Sequence, residues 1–305
     1  MVKICVLGNK GFVGKIVERK LKEKGISYCG TDLPEVDCRD TYLLIAYLKK
    51  EKPDVIINCA AFVGGIPFTA KYPANIVSNN MKLCIALFEA SDICGIKKII
   101  NPISNCTYPA DSSIQRVNEW WNGKMHESVL SYSASKKMFW VFSWAYAKQF
   151  NLDTINIILP NMYGEGEHTD PERAHALSGM IMRMIEAKKN NDKEFVIWGT
   201  GKPVRDWMYI EDGVEALIKA IDIKPQIEPI NVGTGIGICI SSLAGLIKNE
   251  IGYNGELVFD TTKQDGAMCK IVLVDKAKEL LNWKPKTNLI EGVRRTVKWY
   301  MEELK

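Results

Sequence analysis

The sequence lacks several patterns that mark other classes of protein. No apolar run reaches the roughly 18 residues of a membrane span, and strand-like residues begin at position 3, so we expect neither a membrane segment nor a signal peptide. Charge of one sign is not in excess either, because the net charge is only +4 over 305 residues. Without a basic stripe that includes aromatic residues, we expect no nucleic-acid partner.

Patterns of metal ligands are missing as well. The chain has nine cysteines and three histidines, but no Cys-x-x-Cys pair and no Cys/His cluster. We therefore predict no metal site. An odd number of cysteines, scattered through apolar segments, is typical of reduced thiols, which favours a cytoplasmic location.

What the chain does contain is a regular alternation of strand and helix signals in its first half. Strand signals occur at residues 3–7, 26–31, 54–58, 97–103 and 153–159. Helix signals occur at residues 12–24, 41–51, 74–94 and 132–150. This alternation predicts an α/β fold with a Rossmann-type, doubly wound parallel sheet.

The regularity ends near residue 160. We predict a dinucleotide-binding domain over residues 1–160, to which residues of about 200–235 return. Residues 161–305 are expected to form mainly a smaller α/β lobe that binds the substrate.

A glycine-rich turn follows the first apolar segment. Glycines at positions 8, 11 and 14 permit a tight turn, a close approach of the backbone to a phosphate, and close packing of helix on strand. The spacing is Gly-x-x-Gly-x-x-Gly rather than the commoner Gly-x-Gly-x-x-Gly. The predicted cofactor residues are Gly8, Asn9, Lys10, Gly11, Phe12, Val13 and Gly14, with Asp32, Ala60 and Ala61 at the ends of later strands and the pair Tyr132 and Lys136.

Tyr132 and Lys136 stand four residues apart in a segment that reads as helix, so both side chains share one face. A neighbouring cation lowers the pKa of a tyrosine, and such a phenol can exchange a proton with an oxygen that gains charge. Ser104 ends the apolar run that starts at Ile99, and strand ends meet at one edge of a parallel sheet. We therefore expect Ser104 beside Tyr132.

These motifs resemble the extended short-chain dehydrogenase/reductase family of nucleotide-sugar enzymes, and within it the GDP-L-fucose synthases. Five stretches carry the resemblance, at residues 60–66, 104–109, 132–136, 161–175 and 232–235, and the most specific runs among them are 63–66, 104–109 and 170–175. The resemblance implies an enzyme that epimerises the carbons beside a 4-keto group and then reduces the ketone with a nicotinamide hydride. The substrate would be GDP-4-keto-6-deoxymannose or a related GDP-4-keto sugar. A simple 4-keto reductase, or a redox-neutral epimerase on another nucleotide sugar such as a GDP-heptose, remains an alternative.

The resemblance also implies roles for single residues. Ser104, Tyr132 and Lys136 would serve the ketone, and Cys106 with His175 would be the acid/base pair of the epimerisation. If the segment is extended, Ser104 and Cys106 point to one face. The substrate residues implied in this way are Asn161, Arg183, Trp198, Arg205 and Lys270. The pair Trp120-Trp121 has no counterpart in the resemblance, and we expect it to shape a sugar pocket.

Cofactor and assembly follow from the same resemblance. It implies NADPH, with Lys10 as a basic residue for the 2′-phosphate, whereas Asp32 is the kind of acid that binds a ribose 2′-hydroxyl and keeps NAD open. It further implies a homodimer formed through the helices at 74–94 and 132–150. Phe139, Trp140 and Trp144 would offer apolar surface there, and their burial against the chain's own core is the alternative.

Overall fold

The structure, a computed structural model, describes residues 2–305. The strands are β1 Ile4–Leu7, β2 Tyr28–Thr31, β3 Val55–Asn58, β4 Lys98–Ser104, β5 Ile114–Gln115, β6 Asp153–Leu159, β7 Asn161–Tyr163, β8 Glu194–Trp198, β9 Val204–Tyr209, β10 Gln226–Asn231, β11 Gly237–Cys239, β12 Glu256–Asp260 and β13 Cys269–Val272. The helices are α1 Phe12–Glu23, α2 Thr41–Glu51, α3 Ile66–Lys71, α4 Pro73–Ile93, α5 Leu130–Phe150, α6 Ala176–Asn190, α7 Ile210–Lys219, α8 Ile240–Ile251, α9 Asp275–Leu281 and α10 Leu289–Glu303.

Six strands form one parallel sheet in the order β2-β1-β3-β4-β6-β10. The predicted doubly wound α/β fold is confirmed. Successive strands are added in opposite directions from β1, because β2 lies on one side of β1 and β3 lies on the other. In open parallel sheets, the crevice beyond the carboxyl ends of such strands is where ligands bind.

Alternate residues of β1 supply two separate cores. Ile4 and Val6 pack with α1 and α7 on one face, whereas Cys5 and Leu7 pack with α2, α4 and α5 on the other. Because both faces are covered, all four residues of β1 are fully buried. This explains why the strand reads as a continuous apolar run.

A row of asparagine side chains crosses the middle of the sheet. Asn58 Nδ2 donates to Asn101 Oδ1 over 3.3 Å, and Asn101 Nδ2 donates to Asn156 Oδ1 over 3.0 Å. The three residues sit on the neighbouring strands β3, β4 and β6 and are almost fully buried. Bonds of this kind fix the register of the strands whose ends carry the site.

The remaining strands form two smaller sheets. One contains β11, β9, β13 and β5, with β7 beside β9, and the other pairs β12 with β8. Of the later strands, β10 joins the large sheet next to β6, while β9 does not. No helix within residues 2–305 combines the length and apolarity needed to cross a bilayer.

Candidate active site

The turn between β1 and α1 is shaped for glycine. Gly8 has φ +74°, and a Cβ there would lie 2.6 Å from the Ala60 backbone beyond β3. A Cβ on Gly14 would lie 2.1 Å from the Gly8 carbonyl oxygen. Helix α1 begins after Gly11, and no side chain at this position caps the first N–H groups of the helix. These free N–H groups and the close backbone approach fit the pyrophosphate of a dinucleotide.

The end of β2 carries acidic groups near this turn. Asp32 follows the strand and is partly exposed, and its carboxylate accepts only the Leu33 N–H, over 2.8 Å. The Lys10 ammonium pairs with Glu35, and both side chains face solvent. A dinucleotide ribose at this position would therefore meet two carboxylates and one amine.

Ser104 and Cys106 do not lie in one extended segment, so that prediction is wrong. Strand β4 ends at Ser104, and Asn105–Thr107 form a 3₁₀ turn. The Ser104 hydroxyl accepts the Cys106 N–H over 3.2 Å, and the Thr107 hydroxyl donates to the Ser104 carbonyl over 2.7 Å. Such local hydroxyl bonds compete with strand pairing and favour the turn.

The turn is tied to α5. Ser133 Oγ donates to the Cys106 carbonyl over 2.9 Å, and the Cys106 thiol is close enough to influence the pKa of Tyr132. The start of α5, which carries Tyr132, thus lies against the turn that follows β4 and contains Cys106.

The pKa of Tyr132 departs from the sequence prediction. Burial, followed by the electrostatic interaction with Cys106, raises the pKa of Tyr132 above its usual value, and Lys136 does not lower it. Burial also lowers the pKa of Lys136 to about 8, and its ammonium lies 4.8 Å from the centroid of the Phe139 ring. The predicted lowering of the Tyr132 pKa by Lys136 is therefore wrong. The raised pKa keeps the Tyr132 phenol protonated at neutral pH.

Trp120 supports the Cys106 turn instead of lining a sugar pocket. Its ring is 1% exposed and packs with Ile103 and Tyr108. Trp120 Nε1 donates to the Thr107 hydroxyl over 2.8 Å, and Lys137 Nζ donates to the Trp120 carbonyl over 2.7 Å. The expected pocket role is thus wrong for Trp120, whereas its neighbour Trp121 is 52% exposed.

His175 stands immediately before α6, where its ring contacts a buried carboxylate. The distance from His175 Nδ1 to Glu167 Oε1 is 2.6 Å. Burial alone would lower the pKa of His175, but the hydrogen bond and charge of Glu167 outweigh it, so the pKa is raised. Within residues 2–305 no hydrogen bond or ion pair joins His175 to Ser104, Cys106 or Tyr132.

Glu167 was missed by the sequence reasoning. Its only signal is its place in the acidic, glycine-rich run 164–167, eight residues before His175. Such a run reads as an exposed loop. The loop is nevertheless fastened to the start of α3, since the Gly65 N–H donates to the Arg173 carbonyl over 3.2 Å.

Two of the predicted substrate residues are direct neighbours. Arg205 on β9 and Lys270 on β13 face each other in register. Burial lowers the pKa of Arg205, while Cys106, Cys269 and Asp265 act in the opposite direction. Strand β13 also pairs with β5, where the Gln115 side chain accepts a hydrogen bond from Asn105 of the β4 turn over 3.1 Å, so the sheet that carries this pair adjoins the turn.

The other predicted substrate residues lie further along this lobe. Asn161 Nδ2 donates to the Asp206 carbonyl over 3.1 Å. The Arg183 guanidinium lies 4.9 Å from the Phe195 ring centroid on β8. Trp198, at the end of the same strand, is 65% exposed. Arg183 and Trp198 thus share the β8 side, whereas Arg205 and Lys270 share the β9–β13 side.

Comparisons with known proteins give concordant results. The sequence model of the NAD dependent epimerase/dehydratase family matches residues 4–233. The chain is 32% identical to the "Putative GDP-L-fucose synthase 2" of Arabidopsis thaliana, over 99% of this chain and 92% of that protein.

Solved structures agree with this result. The GDP-L-fucose synthetase from Naegleria fowleri bound to NADP has a TM-score of 0.90 and 26% identity, over 99% of this chain and 93% of that one. The GDP-6-OMe-4-keto-L-xylo-heptose reductase from C. jejuni has a TM-score of 0.92 and 23% identity, over 99% and 98% of the two chains. At 23% identity, the similarity to the C. jejuni reductase shows a shared fold and no more. The resemblance to extended short-chain dehydrogenase/reductases is confirmed.

Proposed function

The chain belongs to the NAD dependent epimerase/dehydratase family, and we propose that it is an NAD(P)-dependent epimerase/reductase of a GDP-linked 4-keto sugar. The substrate is GDP-4-keto-6-deoxymannose or a close relative. The observation that carries the proposal is the hydrogen bond from Ser133, the chain neighbour of Tyr132, to the Cys106 carbonyl. It joins the start of α5 to the turn after Ser104, at the same edge of the sheet as the Gly8 turn. Identity of 32% to an Arabidopsis thaliana GDP-L-fucose synthase over 99% of the chain supports it.

The residues divide the chemistry between them. Tyr132, protonated because its pKa is raised by burial, donates to the ketone oxygen, and the Ser104 hydroxyl is the second donor. Donors at that oxygen stabilise an enolate and later an alkoxide. Cys106 and His175 transfer protons at the carbons beside the ketone from opposite faces. When bound, the nicotinamide supplies the hydride that reduces the carbonyl carbon.

The second lobe would hold the nucleotide sugar. Arg205 and Lys270 suit the diphosphate, because Arg205 forms no ion pair within residues 2–305 and guanidinium groups match phosphate oxygens. We assign the base to the surface of Arg183 and Trp198, and a sugar hydroxyl to Asn161. In this division residues 1–160 form the dinucleotide-binding domain, and within the predicted return of about 200–235 it is β10 that pairs with the large sheet.

The dinucleotide is NADP(H) in this proposal. Support comes from the NADP-bound Naegleria fowleri structure at 26% identity and from Lys10, the amine of the glycine turn. Asp32 and Glu35 sit beside that amine, so the enzyme also accepts NAD(H).

A homodimer formed through α4 and α5 is part of the proposal. Val77 and Ile85 on α4 and Trp144 on α5 are between 39% and 42% exposed. They offer an apolar surface that a second copy would cover. Of the other residues expected there, Phe139 is fully buried in the chain's own core, and Trp140 Nε1 donates to the Ile227 carbonyl over 2.7 Å. The nine free thiols support a cytoplasmic location.

The test is a reaction with GDP-4-keto-6-deoxymannose and NADPH in deuterated water. Mass spectrometry reports deuterium at the carbons beside the ketone, and absorbance reports oxidation of NADPH. The proposal expects both, and Cys106→Ser should lose deuterium uptake. Reduction without uptake would identify a simple 4-keto reductase, and the absence of both would refute the proposal.

A further inference from the structure

The environment of Glu167 is unusual for a carboxylate in an acidic loop. Its side chain is only 1% exposed. All three of its hydrogen bonds come from the start of α6: from the His175 N–H over 3.1 Å, from His175 Nδ1 over 2.6 Å, and from the Ser178 hydroxyl. These three contacts fix the position of the buried Glu167 carboxylate.

These contacts decide which ring nitrogen of His175 is free. Because a carboxylate oxygen accepts hydrogen bonds and a ring N–H donates them, we place the proton of this contact on Nδ1. The remaining nitrogen, Nε2, has no hydrogen-bond partner within residues 2–305, and 43% of the side chain is exposed. The backbone bond at His175 and the bond at Ser178 hold the carboxylate itself in place.

We propose that Glu167 is a positioning residue, which holds the His175 imidazole with Nδ1 protonated and leaves Nε2 to transfer protons at the sugar carbon. The inference rests on the proposed function for its chemical consequence. Its structural part, the control of His175 by Glu167, does not depend on the substrate.

Other charged groups near His175 do not take over this role. His168 lies in the same loop, and burial, followed by the charge of Arg173, lowers its pKa. The Arg173 guanidinium faces the Phe68 ring at 5.5 Å and the Val63 carbonyl. The Asp170 carboxylate accepts the Glu172 N–H. Glu167 is therefore the one charged side chain of residues 2–305 in contact with the imidazole, which agrees with the raised pKa of His175.

The first experiment needs no substrate. The chain has only three histidines, so their ring signals can be assigned in NMR spectra with His175→Asn as the reference. In Glu167→Gln we expect the proton affinity of His175 to fall at least tenfold, which is about one pKa unit. The matched control is Glu172→Gln, the same change at an exposed loop carboxylate that pairs with Lys71. An unchanged His175 titration in Glu167→Gln would overturn the inference.

The second experiment measures proton transfer. In Glu167→Gln, deuterium uptake from the substrate should fall about tenfold or more at neutral pH, while reduction of a substrate that is already epimerised keeps its rate. In a His175→Asn background the same change should have no further effect on uptake. Equal losses of uptake and reduction would indicate a general structural defect and would refute the positioning role.

A variant that keeps the charge guards against misfolding. Glu167→Asp should restore part of the His175 proton affinity and part of the deuterium uptake. If Glu167→Gln does not fold, Glu167→Asp decides alone. A native His175 titration together with native deuterium uptake in Glu167→Asp would then count against strict positioning by Glu167. If the native enzyme takes up no deuterium at all, the proposed function fails, whereas the NMR titration still decides the control of His175.

Discussion

The candidate site has two parts, one at the edge of the large sheet and one on the smaller lobe, and they are built differently. At the edge of the large sheet, the site consists of backbone in close contact and of buried side chains, such as Gly14 against Gly8 and Lys136 against Phe139. On the smaller lobe, it consists of side chains such as Trp198 and Arg205, which are exposed or lack an ion-pair partner within residues 2–305. The groups at the sheet edge are already packed against each other, whereas the Arg205 guanidinium on the smaller lobe can form an ion pair with a ligand.

This difference separates stability from affinity. Substitutions on the sheet side should disturb the fold or the chemistry, because every group there has close neighbours. Substitutions on the smaller lobe should leave the fold intact and weaken binding, since a charge without a partner stabilises little.

The largest effect on activity is expected at Tyr132, the proposed proton donor at the edge of the large sheet. Tyr132→Phe should lower ketone reduction by about 10²–10⁴-fold, since it removes the proton donor. Unfolding by denaturant should be almost unchanged, because the Tyr132 hydroxyl has no hydrogen-bond partner within residues 2–305. Tyr146→Phe on the same helix is the control and should keep the native rate. A reductase that survives the loss of the Tyr132 hydroxyl would rule out this donor.

Gly14→Ala tests the close backbone contact of the sheet side. The new methyl group would lie 2.1 Å from the Gly8 carbonyl oxygen, so we expect a loss of about 3 kcal/mol in the free energy of unfolding and loss of NADP⁺ binding. Denaturant titration and calorimetry measure the two effects. Gly245→Ala in α8 is the control, since a Cβ there meets nothing within 4 Å. It should stabilise the protein by about 0.5–1 kcal/mol.

Lys136 makes the stability of the sheet side depend on pH. Its folded pKa of about 8 lies below its usual value, so the unfolded chain binds more protons between pH 8 and about 10. The free energy of unfolding should therefore rise with pH in this window, by about 3 kcal/mol at most from Lys136.

Lys136→Met should remove this contribution, and unfolding titrations from pH 7 to 10 measure it as a difference in slope from the native protein. The exposed Lys148 on the same helix provides the control Lys148→Met. Identical slopes for the native protein and Lys136→Met would show that the amine is not desolvated.

Arg205→Gln tests the smaller lobe. We expect the KM for the GDP sugar to rise about 10–100-fold, because a charged hydrogen bond to a phosphate contributes about 1.5–3 kcal/mol. The free energy of unfolding should stay constant or increase, because burial of the guanidinium opposes its charge. A marked loss of stability with little change in KM would contradict the proposed difference between the two sides.

The smallest effect concerns the cofactor. Asp32→Asn should improve the ratio of NADP⁺ to NAD⁺ affinity by about tenfold, because it removes a carboxylate that repels a 2′-phosphate. Calorimetric titration with both dinucleotides measures the ratio. The control is Asp111→Asn, the same change at an exposed residue. Asp40 is not suitable as a control because its side chain caps α2. An unchanged ratio would show that Asp32 does not face the ribose.

Several of these features were accessible from the sequence and others were not. The helix with Tyr132 and Lys136 was predicted correctly, because apolar periodicity is a local property. The turn at Cys106 was not, because hydroxyl bonds of Ser104 and Thr107 override the strand pattern. The burial of Trp120 and Phe139 depends on packing between distant segments, which residue type alone does not reveal.

By itself, the sequence determined the parallel α/β fold, the glycine turn and the spacing of Tyr132 and Lys136. Each of these follows from steric preferences and periodicities that act over a few neighbouring residues. Only the tertiary structure decided that burial raises the pKa of Tyr132, that burial lowers the pKa of Lys136, and that Glu167 contacts His175. These properties depend on removal from water and on contacts between side chains that the fold brings together, which chain order does not encode locally.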